Sequence, residues 1–370
     1  MIEGMERLPE MLGLRGTAGL AWLRVIPLLL VVVLAPLEIL ATSVHLWAVI
    51  AAMPPMAALV NGPRTTALVA VAAVAACLLL SYTRAGDADP TAHGELVTVI
   101  LIGGTSVLIA VLRDRMLARL LSVNSVAEAA QRALLPDLPG RIAQLECATA
   151  HRPSTADSRL GGDFFDMLNT PWGVRAVLGD VSGHGLGAVA TMASLLGSFR
   201  EGALDDVDLN ALSVRLERRM GMCNERRGGW TEEFATALLM VFDPGGTAVE
   251  VRSFGHHPPL LIRGREVAAI CVAPSPPLGL VGEFQVKATS VGLALRPADL
   301  VLAYTDGLTE ARDLAGGMYP LEQRLRERLS GGALFAHPAE VVDFLFADLK
   351  SHGFRLTDDA AVLAVGVLPE

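Results

Sequence analysis

Four apolar stretches precede residue 113, and they divide the chain before any motif is considered: Val25 to Val44, Leu46 to Val60, Thr65 to Tyr82 and Leu96 to Leu112. A helix needs about 20 apolar residues to cross a bilayer, and each stretch approaches that length. The second is the shortest and carries Pro54 and Pro55. Backbone groups in lipid must be satisfied within their own segment, so four membrane helices are expected. Arg7, Arg15 and Arg24 flank the first stretch, Arg64 lies between the second and third, and Arg113, Arg115 and Arg119 follow the fourth; the connection before the fourth carries Asp87, Asp89 and Glu95 instead. That asymmetry places both ends of the region inside the cell. Three more apolar stretches after the first argue against a cleaved signal peptide. The expected organisation is a multi-pass cell-membrane region over 1–112, a helical connector over 113–135 and a cytoplasmic domain over 136–370. Glu38, near the outer end of the first span, reads as a side chain reaching the interface.

In the connector, Met116, Leu120, Val123, Ala127, Ala130 and Leu134 recur at alternating steps of four and three, the seam of a short coiled coil. It can close against a second copy, giving a homodimer, or against the chain's own catalytic domain. Pro136 and Pro139 end it. A net charge of −9, with no basic run interleaved with aromatics, excludes the footprint of a nucleic-acid binder. Cys77, Cys147, Cys223 and Cys271 are scattered without a CxxC pair, so neither a disulfide framework nor a zinc site is expected.

From residue 141 short β-type runs alternate with turns: Ala235 to Phe242, a hairpin signal at Asp243-Pro244-Gly245-Gly246, then Val249 to Phe254, Leu260 to Arg263, Val286 to Val291 and Leu300 to Tyr304. Leu209, Leu212, Leu216 and Met220 repeat at helical spacing, as do Val341, Leu345 and Leu349. The domain is α+β with much antiparallel sheet. Aspartates stand beside glycine or at strand ends: Asp163 in GGDFFD, Asp180 in GDVSGHG, Asp306 in YTDGLTEA, and Asp358 with Asp359 in TDDAAVLAV. Hard divalent ions take oxygen ligands, usually a few carboxylates plus water. Two ions sharing a carboxylate can activate water for in-line attack on phosphorus without a side-chain nucleophile. No cysteine has an arginine six positions on, so a cysteine phosphatase has no support, and no GxxxxGK[ST] loop occurs.

Those motifs, together with LLP at Leu134 to Pro136, FATALL from Phe234, GHHPPLL from Gly255, PPLGL from Pro276 and DLVLAYTDGLTEAR from Asp299, resemble the SpoIIE-like branch of the PPM (protein phosphatase 2C) family. The resemblance runs from about Gln131 to the end. It implies a β-sandwich flanked by helices, with two Mn²⁺ or Mg²⁺ ions at one edge, and hydrolysis of phosphoserine or phosphothreonine on a small protein, typically a STAS-type anti-sigma-factor antagonist. Carried over by motif, Asp180 matches the aspartate bridging both metals and the Val181 carbonyl its neighbouring ligand. Asp306 and Asp358 match ligands of the other ion, and Asp163 matches an acidic residue holding metal-bound water. Asp359 is left to cap the following turn and Asp166 to a structural role. His184 lies two positions further along than the histidine implicated as general acid in eukaryotic members; proton donation is weighed against packing at the helix start between Gly183 and Gly185. His256 and His257, before Pro258 and Pro259, read as loop architecture, and Arg152 as a candidate phosphate contact.

Two rivals are weaker. A membrane-bound diguanylate cyclase would need a glutamate that GGDFF lacks and a metal aspartate about 40 residues upstream, where only Asp137 and Glu146 follow the connector. A catalytically inactive scaffold would keep the fold but has no reason to keep every aspartate.

Overall fold

The structure, a computed structural model, describes residues 24–40, 46–83, 92–154, 161–227, 233–273, 275–280 and 289–367, without the side chains of 120–126. Arg7, Arg15, Val44, Asp87, Asp89, Val286 and the seam side chains Leu120 and Val123 therefore lie outside the described residues. The chain forms two compact units that divide after Leu121.

The first unit contains α1 (Ile26–Leu40), α2 (Trp47–Ala51), α3 (Met53–Val60), α4 (Pro63–Thr83) and the start of α5 (Ala92–Leu134). Among the described residues, two apolar segments are long enough to cross a membrane, Pro63–Thr83 and His93–Arg119. The second apolar stretch is not one span but two short helices. Pro54 and Pro55 sit in the first turn of α3, where a missing N–H is tolerated because no carbonyl awaits it. Arg113 closes the other end of α3: its guanidinium donates to the carbonyls of Ala58 (2.5 Å), Leu59 (3.0 Å) and Asn61 (2.8 Å). A cation on the last carbonyls of a helix also suits the helix dipole. Glu38 does not reach outward as expected; it is buried on the face of α1 that also buries Pro27, Val31 and Ala35.

The second unit is built from two antiparallel sheets. One has the order β1 (Arg141–Ile142), β2 (Leu145–Arg152), β11 (Ala360–Val367), β10 (Leu300–Tyr304), β7 (Leu260–Arg263), β8 (Glu266–Ala269). The other runs β3 (Phe164–Thr170), β4 (Gly173–Val181), β5 (Ala235–Phe242), β6 (Ala248–Phe254), β9 (Ser290–Ala294). Their central strands read as continuous apolar runs because both faces are covered. On β4, Val174, Ala176 and Leu178 point between the sheets, while Val177 and Val181 point at α6 (Leu186–Asp205) and α7 (Leu209–Arg227). On β11, Ala361, Leu363 and Val365 face the second sheet. Ala360, Val362 and Ala364 face α9 (Leu321–Ser330) and α10 (Pro338–Ser351). The helical repeats read from sequence bury Leu209, Leu212, Leu216 and Met220 on α7 and Val341, Leu345 and Leu349 on α10. The DPGG turn holds because the Asp243 carboxylate accepts from the amides of Gly245 and Ala248 and from the Thr247 hydroxyl.

The last turns of α5 belong to this unit. Ala127 is buried in the core beneath α6 and α7, with Ala130 and Leu134 packed on it, so this end of the seam closes on the catalytic domain's own core. Arg200 on α6 fixes it further, donating to the Leu134 carbonyl (3.2 Å) and to the buried carboxylate of Asp166 (2.6 Å). Asp166 is structural, as its motif position suggested. Arg200→Met leaves that carboxylate buried without its cation, and a buried charged group that loses its partner costs about 2–3 kcal/mol. The urea midpoint of unfolding is expected to fall accordingly; an unchanged midpoint would show that the pair does not hold the helix end.

Candidate metal centre

Each strand alternates, so Asp180 continues the face of Val174, Ala176 and Leu178 and points between the sheets at the end of β4. The other motifs reach that edge through close backbone approaches that only glycine permits. A Cβ on Gly162 would stand 2.3 Å from the Val181 carbonyl oxygen, and the Val181 amide donates to the Gly162 carbonyl (3.2 Å). A Cβ on Gly307 would stand 1.9 Å from the Asp359 carbonyl oxygen, which sets α8 (Asp306–Thr309) directly against the TDD motif. Thr305 ties β10 to the GGD segment: its hydroxyl donates to Asp163 Oδ2 (2.9 Å) and accepts from the Ala361 amide (2.8 Å). Thus Asp163, Asp180, Asp306 and Asp358, spread over 196 residues of sequence (163 to 358), share one sheet edge.

Buried carboxylates elsewhere in this unit have conventional partners. Asp299 binds Arg263, Asp348 binds Arg324, and Asp166 binds Arg200. Asp359 accepts from the amides of Ser154 (2.8 Å) and Gly161 (3.1 Å), with His151 Nε2 3.7 Å away. Burial pushes its carboxyl up, but His151 and the two amides together outweigh this and hold it below the usual range. Asp163 is different: it is 2% exposed and, among the described residues, receives only the Thr305 hydroxyl. Burial first, then the charge of Asp180, push its carboxyl well above the usual range. Burial, followed by Asp306 and Asp358, pushes Asp180 up to about 7. No described arginine, lysine or histidine forms an ion pair with Asp163, Asp180 or Asp306.

Among the described residues, no three His, Cys, Asp or Glu side chains are grouped closely enough to hold one ion. The aspartates sense one another electrostatically. The donor set nonetheless fits hard divalent ions: it is all oxygen, it includes the Val181 carbonyl, and no described cationic side chain forms an ion pair with Asp163, Asp180 or Asp306.

Other expectations sort as follows. Asp358 is exposed and accepts the Asp359 amide (2.8 Å); Asp359 does not cap the following turn but clamps Ser154 and Gly161 in place. His184 is exposed on the loop between β4 and α6. Arg152 lies over the Phe346 ring, 5.5 Å from its centroid. Gln131 escaped the sequence reading; it is buried on α5 and donates to the Gly161 carbonyl (3.3 Å), with the Asp163 carbonyl at 3.5 Å. Thr305 escaped too, although its place before Asp306 at a strand end was a usable signal. Gly307→Ala must displace either Asp306 or the TDD segment, and overpacking of this kind costs about 1–3 kcal/mol. The melting temperature of this variant is expected to fall; one as stable as the parent would mean the two segments are not in contact.

A SpoIIE family model, described as stage II sporulation protein E, matches residues 170–368, more than half of the chain. Protein IcfG of Synechocystis sp. is 25% identical over 257 residues, covering 62% of this chain and 38% of IcfG, so the chain spans well under half the length of that relative. The SiaA-PP2C domain of Pseudomonas aeruginosa superposes with a TM-score of 0.55 at 19% identity, covering 67% of this chain and 98% of that domain. The phosphatase domain and regulatory fragment of SpoIIE from Bacillus subtilis give 0.49 at 18% identity, over 60% and 63% of the two chains. The chain therefore belongs to the SpoIIE family, and its second unit shares the fold of the SiaA PP2C domain.

Proposed function

We propose that this chain is a membrane-anchored, metal-dependent protein phosphatase that removes phosphate from serine or threonine on a small regulatory protein of the STAS anti-sigma-factor antagonist type, with its catalytic unit in the cytoplasm. The observation that carries this reading is the pair of a buried Asp163 and a half-buried Asp180, neighbouring carboxylates that no cationic side chain among the described residues pairs. Asp180, the Val181 carbonyl, Asp306 and Asp358 would hold two Mn²⁺ or Mg²⁺ ions, with Asp163 oriented by Thr305 toward the same space. When bound, such ions supply the water activation and charge neutralisation that in-line displacement at phosphorus needs.

The chain's own residues set the geometry. The Gly162 and Gly307 contacts bring four segments to one edge at backbone distance, and the Thr305 hydroxyl keeps one Asp163 oxygen occupied, leaving the other to turn toward solvent or ion. His184, exposed four residues after Asp180, is the candidate to protonate the departing seryl or threonyl oxygen. Membrane attachment is supported by Pro63–Thr83 and His93–Arg119, each long and apolar enough to span.

Full-length protein in detergent is expected to hydrolyse para-nitrophenyl phosphate with Mn²⁺ and to stop when a chelator is added; turnover that survives the chelator would refute the mechanism. Asp180→Ala and Asp306→Ala should each reduce kcat/KM at least ~100-fold, since even residues that only orient metal ligands cost up to that much. His184→Gln should lower kcat on a phosphoserine peptide, whose leaving group needs a proton, more than on para-nitrophenyl phosphate, whose leaving group does not. Equal losses on both substrates would remove His184 from proton transfer.

A further inference from the structure

His256 is not a loop residue in the ordinary sense. It is buried to 9% exposure, and both ring nitrogens are engaged across the gap between the two sheets. Nε2 lies 3.1 Å from the Tyr304 carbonyl and Nδ1 lies 2.9 Å from the Thr236 hydroxyl. A carbonyl only accepts, so Nε2 carries the proton and Nδ1 accepts from Thr236. Burial, and then the neighbouring His257, hold the imidazole down at about 4, which keeps that neutral tautomer at physiological pH. The backbone is fixed as well: the Ser253 hydroxyl donates to the His256 carbonyl (2.9 Å) and accepts from its amide (3.2 Å).

The two residues it joins each border a candidate ligand. Thr236 on β5 is the register partner of Asp180 on β4, and directly opposed residues of an antiparallel pair project on the same face. Tyr304 is the last residue of β10, before Thr305, which holds Asp163, and before Asp306. The same register explains why a side chain is needed. Leu302 pairs with Leu260 on β7, so Tyr304 falls opposite Pro258, which has no N–H to offer. The imidazole supplies the donor that the prolines withhold. Beside it the exposed His257 stacks on the Tyr304 ring, with centroids 5.9 Å apart and planes 20° apart.

We infer that His256 is a positioning residue for the metal centre, a clamp between the two sheets that sets the distance between Asp163 and Asp180 on one and Asp306 on the other. The inference rests on the metal-dependent reading above and assigns a cause to its geometry. It makes the GHHPP motif part of the ion-binding apparatus although neither histidine is a ligand.

The test is calorimetric titration of Mn²⁺ into the full-length chain in detergent, with melting temperatures recorded alongside. His256→Phe fills the space but removes both hydrogen bonds, and should weaken Mn²⁺ binding at least ~10-fold, the usual cost of losing a residue that orients a ligand. His256→Gln keeps a donor within reach of the Tyr304 carbonyl and should recover affinity to within about threefold of the parent, a third of that loss or less. A Phe variant that binds Mn²⁺ like the parent, whatever its melting temperature, overturns the inference; so does a Gln variant as weak as the Phe variant. Should the Phe variant fail to fold, Thr236→Val, which removes a single hydroxyl, must weaken binding by itself, and unaltered affinity there overturns the inference too. A parent chain that binds no Mn²⁺ sinks the phosphatase reading itself, and this inference with it.

Discussion

Negative charge that no cationic side chain among the described residues pairs is the constraint around which the second unit is arranged. Taking a carboxylate out of water costs several kcal/mol unless a cation, a proton or several N–H groups replace the lost hydration. The unit observes that rule at Asp166, Asp299, Asp348 and Asp359, each of which has arginine or backbone amides against it. Among the described residues it departs from the rule at the buried Asp163 and the half-buried Asp180, whose electrostatic neighbours are further carboxylates. An arrangement so unfavourable by itself, built from segments distant in sequence and joined by glycine contacts with no slack, makes physical sense as a receptacle for positive charge.

The sandwich explains how such an arrangement is held. β4 and β10 lie inside their sheets, flanked on both sides, so the aspartates that leave their ends are carried on rigid supports. Between those supports Thr305 and His256 run polar links from one sheet to the other. The last turns of α5 end against the same region, through Gln131 at the Gly161 carbonyl and Ala127 in the core beneath α6. A helix whose earlier residues are apolar enough to cross a membrane therefore finishes beside the segment that carries Asp163.

Local chemistry made much of this legible in sequence. Ala235 to Phe242, Leu260 to Arg263 and Leu300 to Tyr304 are strands with the bounds that the apolar runs suggested, since residues buried on both faces leave no alternation to misread. Of the strand expected over Val286 to Val291, residues 286–288 lie outside the described residues; the described strand there is Ser290–Ala294, at an edge whose alternating burial gives a weaker apolar signal. Asp358 and Asp359 are adjacent and chemically identical; only the fold shows that one is exposed and the other is occupied by Ser154 and Gly161. Gln131, Thr305 and His256 act through partners 20 to 142 residues away, a range no local pattern encodes. In the apolar region, composition alone could not tell a span from the broken α2–α3 pair, where two prolines decide the outcome.

The most direct measurement is anomalous diffraction at the manganese edge from crystals of the full-length chain grown with Mn²⁺. The account predicts two peaks at the sheet edge, one or both in contact with the Asp180 carboxylate and at least one with Asp306. A map with no peak there, at a concentration that supports turnover, would contradict the claim that these buried carboxylates exist to hold metal.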